Sequence, residues 1–91
     1  MLIRVTQEHI DHGQRASCVA CPIALAVTDM SSPGLRVHVG FSTVTVGLET
    51  HELPPSARQF IARFDTPHLR PLAVPFEFEL PDYVGAGGVW R

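Results

Sequence analysis

Lysine is missing from this chain altogether: its seven cationic side chains are all arginine, at positions 4, 15, 36, 58, 63, 70 and 91. Against nine acidic residues they leave a formal net charge of −2. A protein that grips nucleic acid normally shows a basic face, so that class is set aside. An all-arginine complement beside much Ala, Val, Gly and Pro fits a GC-rich coding sequence most simply, with planar guanidinium recognition as the second reading. Cysteine is scarce too. Cys18 and Cys21, the only two, sit three apart and are expected as reduced thiols, not as a structural disulfide. No apolar run approaches the length of a transmembrane helix, and residues 1–20 lack the charged-then-apolar profile of a signal peptide. The expectation is a soluble, cytoplasmic chain that touches no membrane. Also absent are a glycine-rich phosphate cradle, a Ser-His-Asp order and a defensible pair of catalytic carboxylates. A chain this small leaves little room for a water-excluding pocket, so an enzyme is not expected.

What is present suffices for one domain. At 91 residues and 45% hydrophobic content the chain stands near the lower end of what core burial alone can fold. Residues 1–81 read as a single α+β domain and 82–91 as a glycine-rich C-terminal tail. The stretch Cys18-Val19-Ala20-Cys21-Pro22-Ile23-Ala24-Leu25-Ala26-Val27 organises the rest. Its second half is apolar nearly all round, the mark of a buried helix. Proline belongs in a first turn, so the helix starts either at Cys18, capped by Ser17, or at Pro22, capped by Cys21. Val19, Ile23, Val27 and Met30 are expected to share one face, and Ser31-Ser32-Pro33-Gly34 to end the helix.

Ahead of it, Leu2 to Val5 reads as a strand with Ile3 and Val5 inward. Thr6 is a plausible cap for a short turn over Gln7 to His12, with Gly13 in the helix-stopping C′ role. Beyond it, Leu35, Val37 and Val39 alternate with Arg36 and His38, and Val44, Val46 and Leu48 with Thr43 and Thr45, which predicts a hairpin. Glu49 to Leu53 reads as a loop. Ala57, Phe60, Ile61 and Phe64 form the stripe of a second helix opened by Pro55. A proline-punctuated connector then leads to a strand over Pro75–Leu80. The order predicts a two-layer α+β sandwich of ferredoxin-like βαββαβ order, with helices over roughly 18–30 and 55–65 on one face of a single antiparallel sheet. The other face would carry Arg4, Arg36, His38, Thr43, Thr45, Glu77 and Glu79.

Chemistry concentrates around the two thiols. A cysteine at a helix N-terminus is expected to have a lowered pKa, and C-x-x-C opening a helix is the redox arrangement of thioredoxin-like proteins. With His9 and His12 the thiols of Cys18 and Cys21 form H-x-x-H-x5-C-x-x-C, two nitrogen and two sulfur ligands for a tetrahedral zinc. The alternative is that both cysteines are small buried hydrophobes. The same helix N-terminus, with Arg15 upstream and Arg4, Arg36, His38 and Cys18 around it, is a candidate site for a phosphate or carboxylate ligand. His38 between the threonines and glutamates reads as an acid–base cluster or as a plain solvated face.

At Val5-Thr6-Gln7-Glu8-His9-Ile10-Asp11-His12-Gly13, and again at Cys18-x-x-Cys21-Pro22-Ile23-Ala24-Leu25-Ala26, the chain resembles a family of small bacteriophage and prophage proteins from GC-rich bacteria. Leu53-Pro54-Pro55, Phe60-Ile61-x-x-Phe64-Asp65 and Pro75-Phe76-Glu77-Phe78 are similar too, so the likeness runs over most of residues 1–80. It brings no activity that transfers residue by residue. It implies a phage accessory protein made in a bacterial cytoplasm, of the kind that inhibits host defence by binding a host protein or sequestering a nucleotide signal. The expected function is thus non-enzymatic binding with no cofactor. The alternative is a small zinc-binding or thiol-redox protein built on the two cysteines. A homodimer is also expected, because a second copy can cover the open sheet of so small a chain. Val89 and Trp90, beyond the glycines, would act as the hook.

Overall fold

Alternation in Leu2-Ile3-Arg4-Val5 builds the first strand, β1 (Leu2–Val5), with Ile3 and Val5 buried and Leu2 and Arg4 facing out. The computed structural model describes residues 1–81, so Val89, Trp90 and the expected self-association hook lie outside the described residues. Helix α1 (Gln7–His12) follows, opened by the expected cap. Thr6 Oγ1 accepts the His9 N–H at 3.3 Å while His9 Nδ1 accepts the Thr6 N–H at 3.0 Å. This is a capping box with histidine in the place of Glu or Gln.

Gly13 ends α1, but not in the left-handed conformation expected of it: its φ is −69°. Its requirement is space. A Cβ on Gly13 would lie 2.5 Å from Cδ of Pro22, the first residue of helix α2 (Pro22–Met30). Of the two expected starts for that helix, the second is the observed one, with Cys21 as the cap residue. Ser17 is also used, its Oγ accepting the Ala20 N–H at 3.0 Å in the turn ahead. Ile23, Ala24, Ala26 and Val27 are buried. Val19 and Met30, expected on the same face, are exposed at 64% and 53%. Val19 precedes the helix, where its periodicity does not apply, and Met30 is its last residue.

Strands β2 (Val37–Val39), β3 (Thr43–Val46) and β4 (Glu49–Glu52) form an antiparallel sheet in that order. Val37 faces Val46 and Val39 faces Val44, all four buried. β4 occupies what reads as a loop, because Glu49-Thr50-His51-Glu52 has no apolar residue to betray a period of two. It is reached by a two-residue turn whose first position, Gly47, has φ +62°, the place where such hairpins want glycine. Leu48, expected in the buried row, is the second turn residue and fully exposed.

Helix α3 (Pro55–Asp65) buries Ala57, Phe60 and Phe64. A 3₁₀ helix over Pro67–Leu72 takes the place of the expected irregular connector. β5 (Phe76–Glu79) then pairs antiparallel with β1, Ile3 opposite Phe78 and Val5 opposite Phe76. The Leu80 N–H donates to the Met1 carbonyl at 2.9 Å and carries the ladder one step further. Rings stack from α3 to β5: Phe64 on Phe60 at 5.9 Å, Phe60 on Phe76 at 4.9 Å, Phe76 on Phe78 at 5.7 Å.

The fold is thus mixed α+β, as expected, but it holds two separate antiparallel sheets, β1-β5 and β2-β3-β4, and not one ferredoxin-like sheet. The edges explain it. A single sheet needs β1 beside the hairpin, yet the far edge of β3 is taken by β4. The outer edge of β2 meets the loop before α2, where the Val39 N–H donates to the Cys18 carbonyl at 2.7 Å. Helix α2 packs on both β1 and β2, so the sheets share one core with Ile3, Val37, Val46 and Phe78 inside. The expected continuous polar face is split with them. Arg4 pairs with Glu77 at 2.8 Å on the small sheet, whereas His38 and Thr45 face each other on the other. Among the described residues no helix is long and apolar enough to cross a membrane.

The Gly13–Pro22 contact is testable. Gly13→Ala forces a shift of the α2 N-terminus, and urea unfolding should register a loss of about 1–3 kcal/mol, the usual cost of overpacking. An unchanged midpoint would show that the two segments do not approach this closely.

Candidate functional site

The loop between α1 and α2 is tied down at three points. The Gln14 N–H donates to the Ala20 carbonyl at 2.8 Å and closes the loop on itself. The Cys18 carbonyl accepts from Val39 at the end of β2, and the Ala16 N–H donates to Asp65 Oδ1 at 3.1 Å at the end of α3. Ala16 takes φ +56°, a left-handed conformation that strains a residue with a Cβ. Held this way, the loop arches over the start of α2 and leaves a cavity of about 210 Å³. Pro22, Ile23, Phe60, Ile61 and Phe64 supply apolar walls, and Ala16, Cys18 and Phe41 mark its mouth by their exposure. Phe41, on the β2–β3 turn, is 89% exposed. A pocket with an open, exposed mouth thus forms in this small chain, because three elements converge beneath a pinned loop.

Both cysteines line it and both are free, Cys18 exposed and Cys21 buried. The Cys21 thiol accepts the Ala24 N–H at 3.4 Å. Its pKa is nevertheless raised, not lowered as a helix N-terminus alone would have it. Burial is the largest cause, with the Asp65 carboxylate and Cys18 adding to it against the N–H groups of Ala24 and Ile23. Desolvation outweighs the helix end, and Cys21 stays a thiol.

The zinc set is not assembled. His9 donates from Nε2 to Asp29 Oδ2 at 2.6 Å while its Nδ1 accepts from Thr6, so neither ring nitrogen has a lone pair left for a metal. Asp29 lies eight residues past Cys21, roughly 12 Å along the helix axis, which places His9 at the wrong end of α2. His12 is exposed and sits with His9 and Asp29 around a separate shallow groove. Among the described residues no three His, Cys, Asp or Glu side chains come together as a metal site.

The anion set is dispersed as well. Of Arg4, Arg15, Arg36, His38 and Cys18, only Cys18 lines the cavity. Arg4 is engaged by Glu77 on one sheet, and His38 belongs to the other. Among the described residues the one charged residue in the lining is Asp65, which has the wrong sign for an anion. Reading the sequence missed Asp65, Ala16 and Phe41. Nothing local marks them: the Ala16–Asp65 tie spans 49 residues of chain. Compared with known proteins, the chain matches no protein-family model, no curated protein and no solved structure.

Two outcomes follow from this geometry. Ala16→Gly relieves the left-handed strain at the cost of a looser unfolded chain, and chemical denaturation should show a net gain of about 0.5–1 kcal/mol. A disulfide reagent at neutral pH should titrate Cys18 at least about tenfold faster than Cys21, which reacts on unfolding or in strong alkali. Equal rates for the two thiols would contradict the burial of Cys21.

Proposed function

We propose that this is a non-enzymatic binding protein that receives an apolar group of a host protein in the cavity at the start of α2. In the context that the phage resemblance implies, it is an accessory protein of the host cytoplasm that blocks a defence factor. One observation carries the reading: an apolar cavity of about 210 Å³ with the exposed ring of Phe41 at its mouth. A concave apolar site with few polar groups is the usual form of a binding pocket, and exposed aromatics beside such sites are the usual anchors of protein interfaces. A nucleotide signal would ask for cations, and among the described residues the lining has none. A host protein is thus favoured over a nucleotide as the partner. The zinc or thiol-redox alternative asks for thiolates, which the burial of Cys21 opposes.

A homodimer belongs to the same proposal. Among the described residues β1 and β5 pair only with each other, which leaves two strand edges for a second copy. Sedimentation at micromolar concentration decides it, and a strictly monomeric mass ends the idea.

The test of function compares wild type with Phe41→Ala, a change at an exposed turn that leaves the core alone. Immobilised wild-type protein in a bacterial host lysate should retain a polypeptide stoichiometrically. Phe41→Ala should weaken that retention by about 2 kcal/mol, the scale of an interface hot spot. Equal retention by both proteins, or recovery of a nucleotide in place of a polypeptide, would overturn the reading.

A further inference from the structure

We infer that the group this pocket selects is a lysine side chain of the partner protein, with Asp65 as the acceptor of its ammonium. The inference rests on the binding role proposed above and names the chemistry of what is bound.

Among the described residues, Asp65 is the only charged side chain in the cavity lining. Oδ1 is occupied by the Ala16 N–H, and among the described residues no cation pairs with the carboxylate and no donor meets Oδ2. The other walls are mainly apolar. The site therefore offers one negative acceptor at the edge of a hydrocarbon surface. It is complementary to a cation carried on an apolar stem, as long charged side chains are.

The choice between the two such side chains follows from the acceptor. A guanidinium binds best as a fork across both carboxylate oxygens, and here the Ala16 N–H already competes for one lone pair on one of the two oxygens. An ammonium is a compact point charge on a four-carbon stem and needs only the other. Size agrees: the cavity of about 210 Å³ is far above the roughly 10–15 Å³ that a single water needs on the same measure, ample for that stem. Phe41 at the mouth adds a free ring face toward which a cation is drawn.

The ammonium cannot come from this chain or from a second copy of it. The sequence contains no lysine. The amino group of Met1 is held elsewhere, on the Leu80 carbonyl and Glu79. The occupant has to be another molecule, and the exposed apolar mouth favours a protein over a free amine.

The test is an NMR titration of the full chain with n-pentylamine and with n-pentanol, which share a stem and differ in charge. A short peptide with a central lysine and its norleucine analogue are titrated beside them. Pentylamine should shift the amides of Ala16, Cys21 and Asp65 and bind at least about tenfold more tightly than pentanol, the factor for one charge-assisted hydrogen bond. The lysine peptide should likewise exceed its analogue. Asp65→Asn keeps an oxygen for the Ala16 N–H and removes the charge, so it should erase both preferences. The wild-type comparison of amine with alcohol stands even if that variant unfolds. If amine and alcohol bind alike, the lysine inference falls while the pocket reading survives. If neither binds, both fall. Binding of the amine without the lysine peptide would overturn the protein source.

Discussion

Two sheets that share no hydrogen bond are held together by one helix. A two-stranded sheet is marginal on its own in water and needs further strands or a helix packed on it. Helix α2 packs on a strand of each, and Ile23, Ala24 and Val27 are fully enclosed. Burying a side chain of the size of Ile or Val is worth about 1.5–3 kcal/mol, so Ile23 and Val27 alone supply a sizeable part of the net stability of so small a domain. The alanines matter through what they lack, since a larger residue at Ala24 or Ala26 would push the sheets away from the helix.

The same helix dictates the pocket. Its first residue, Pro22, packs directly against Gly13, so the residues between them form a loop whose two ends meet. That loop is caught by the end of β2 and the end of α3. Holding Ala16 in a left-handed conformation costs about 1–3 kcal/mol, which the surrounding ties must offset. Two opposed effects then meet at Cys21: the helix end and its N–H donors favour a thiolate, and burial in an apolar site disfavours it. Burial wins, and what looked like a reactive motif becomes part of a wall.

Where one face of an element is apolar, the sequence was legible. β1, α3, β5 and the hairpin of β2 and β3 all stand where alternation or an i, i+3, i+4 stripe placed them. β4 was not legible, because Glu49-Thr50-His51-Glu52 is polar on both faces. Missing it hid the split of the sheets, since β4 is what closes the second edge of β3. The histidine and cysteine spacing suggested zinc because spacing says nothing of direction: α1 runs back along α2 from Asp29 to Pro22 and carries His9 away from Cys21. The pocket depends on contacts between distant segments, Asp65 with Ala16 and Cys18 with Val39, and no local pattern encodes those.

The binding role depends on an apolar cavity that persists beneath the loop at the start of α2. Xenon is its most direct probe, because it enters apolar cavities without needing a polar partner. A crystal of the chain pressurised with xenon should show the gas between Ile23, Phe60 and Phe64, with the loop in place. Xenon absent from that position, and the loop collapsed onto Phe60 and Phe64, would contradict it.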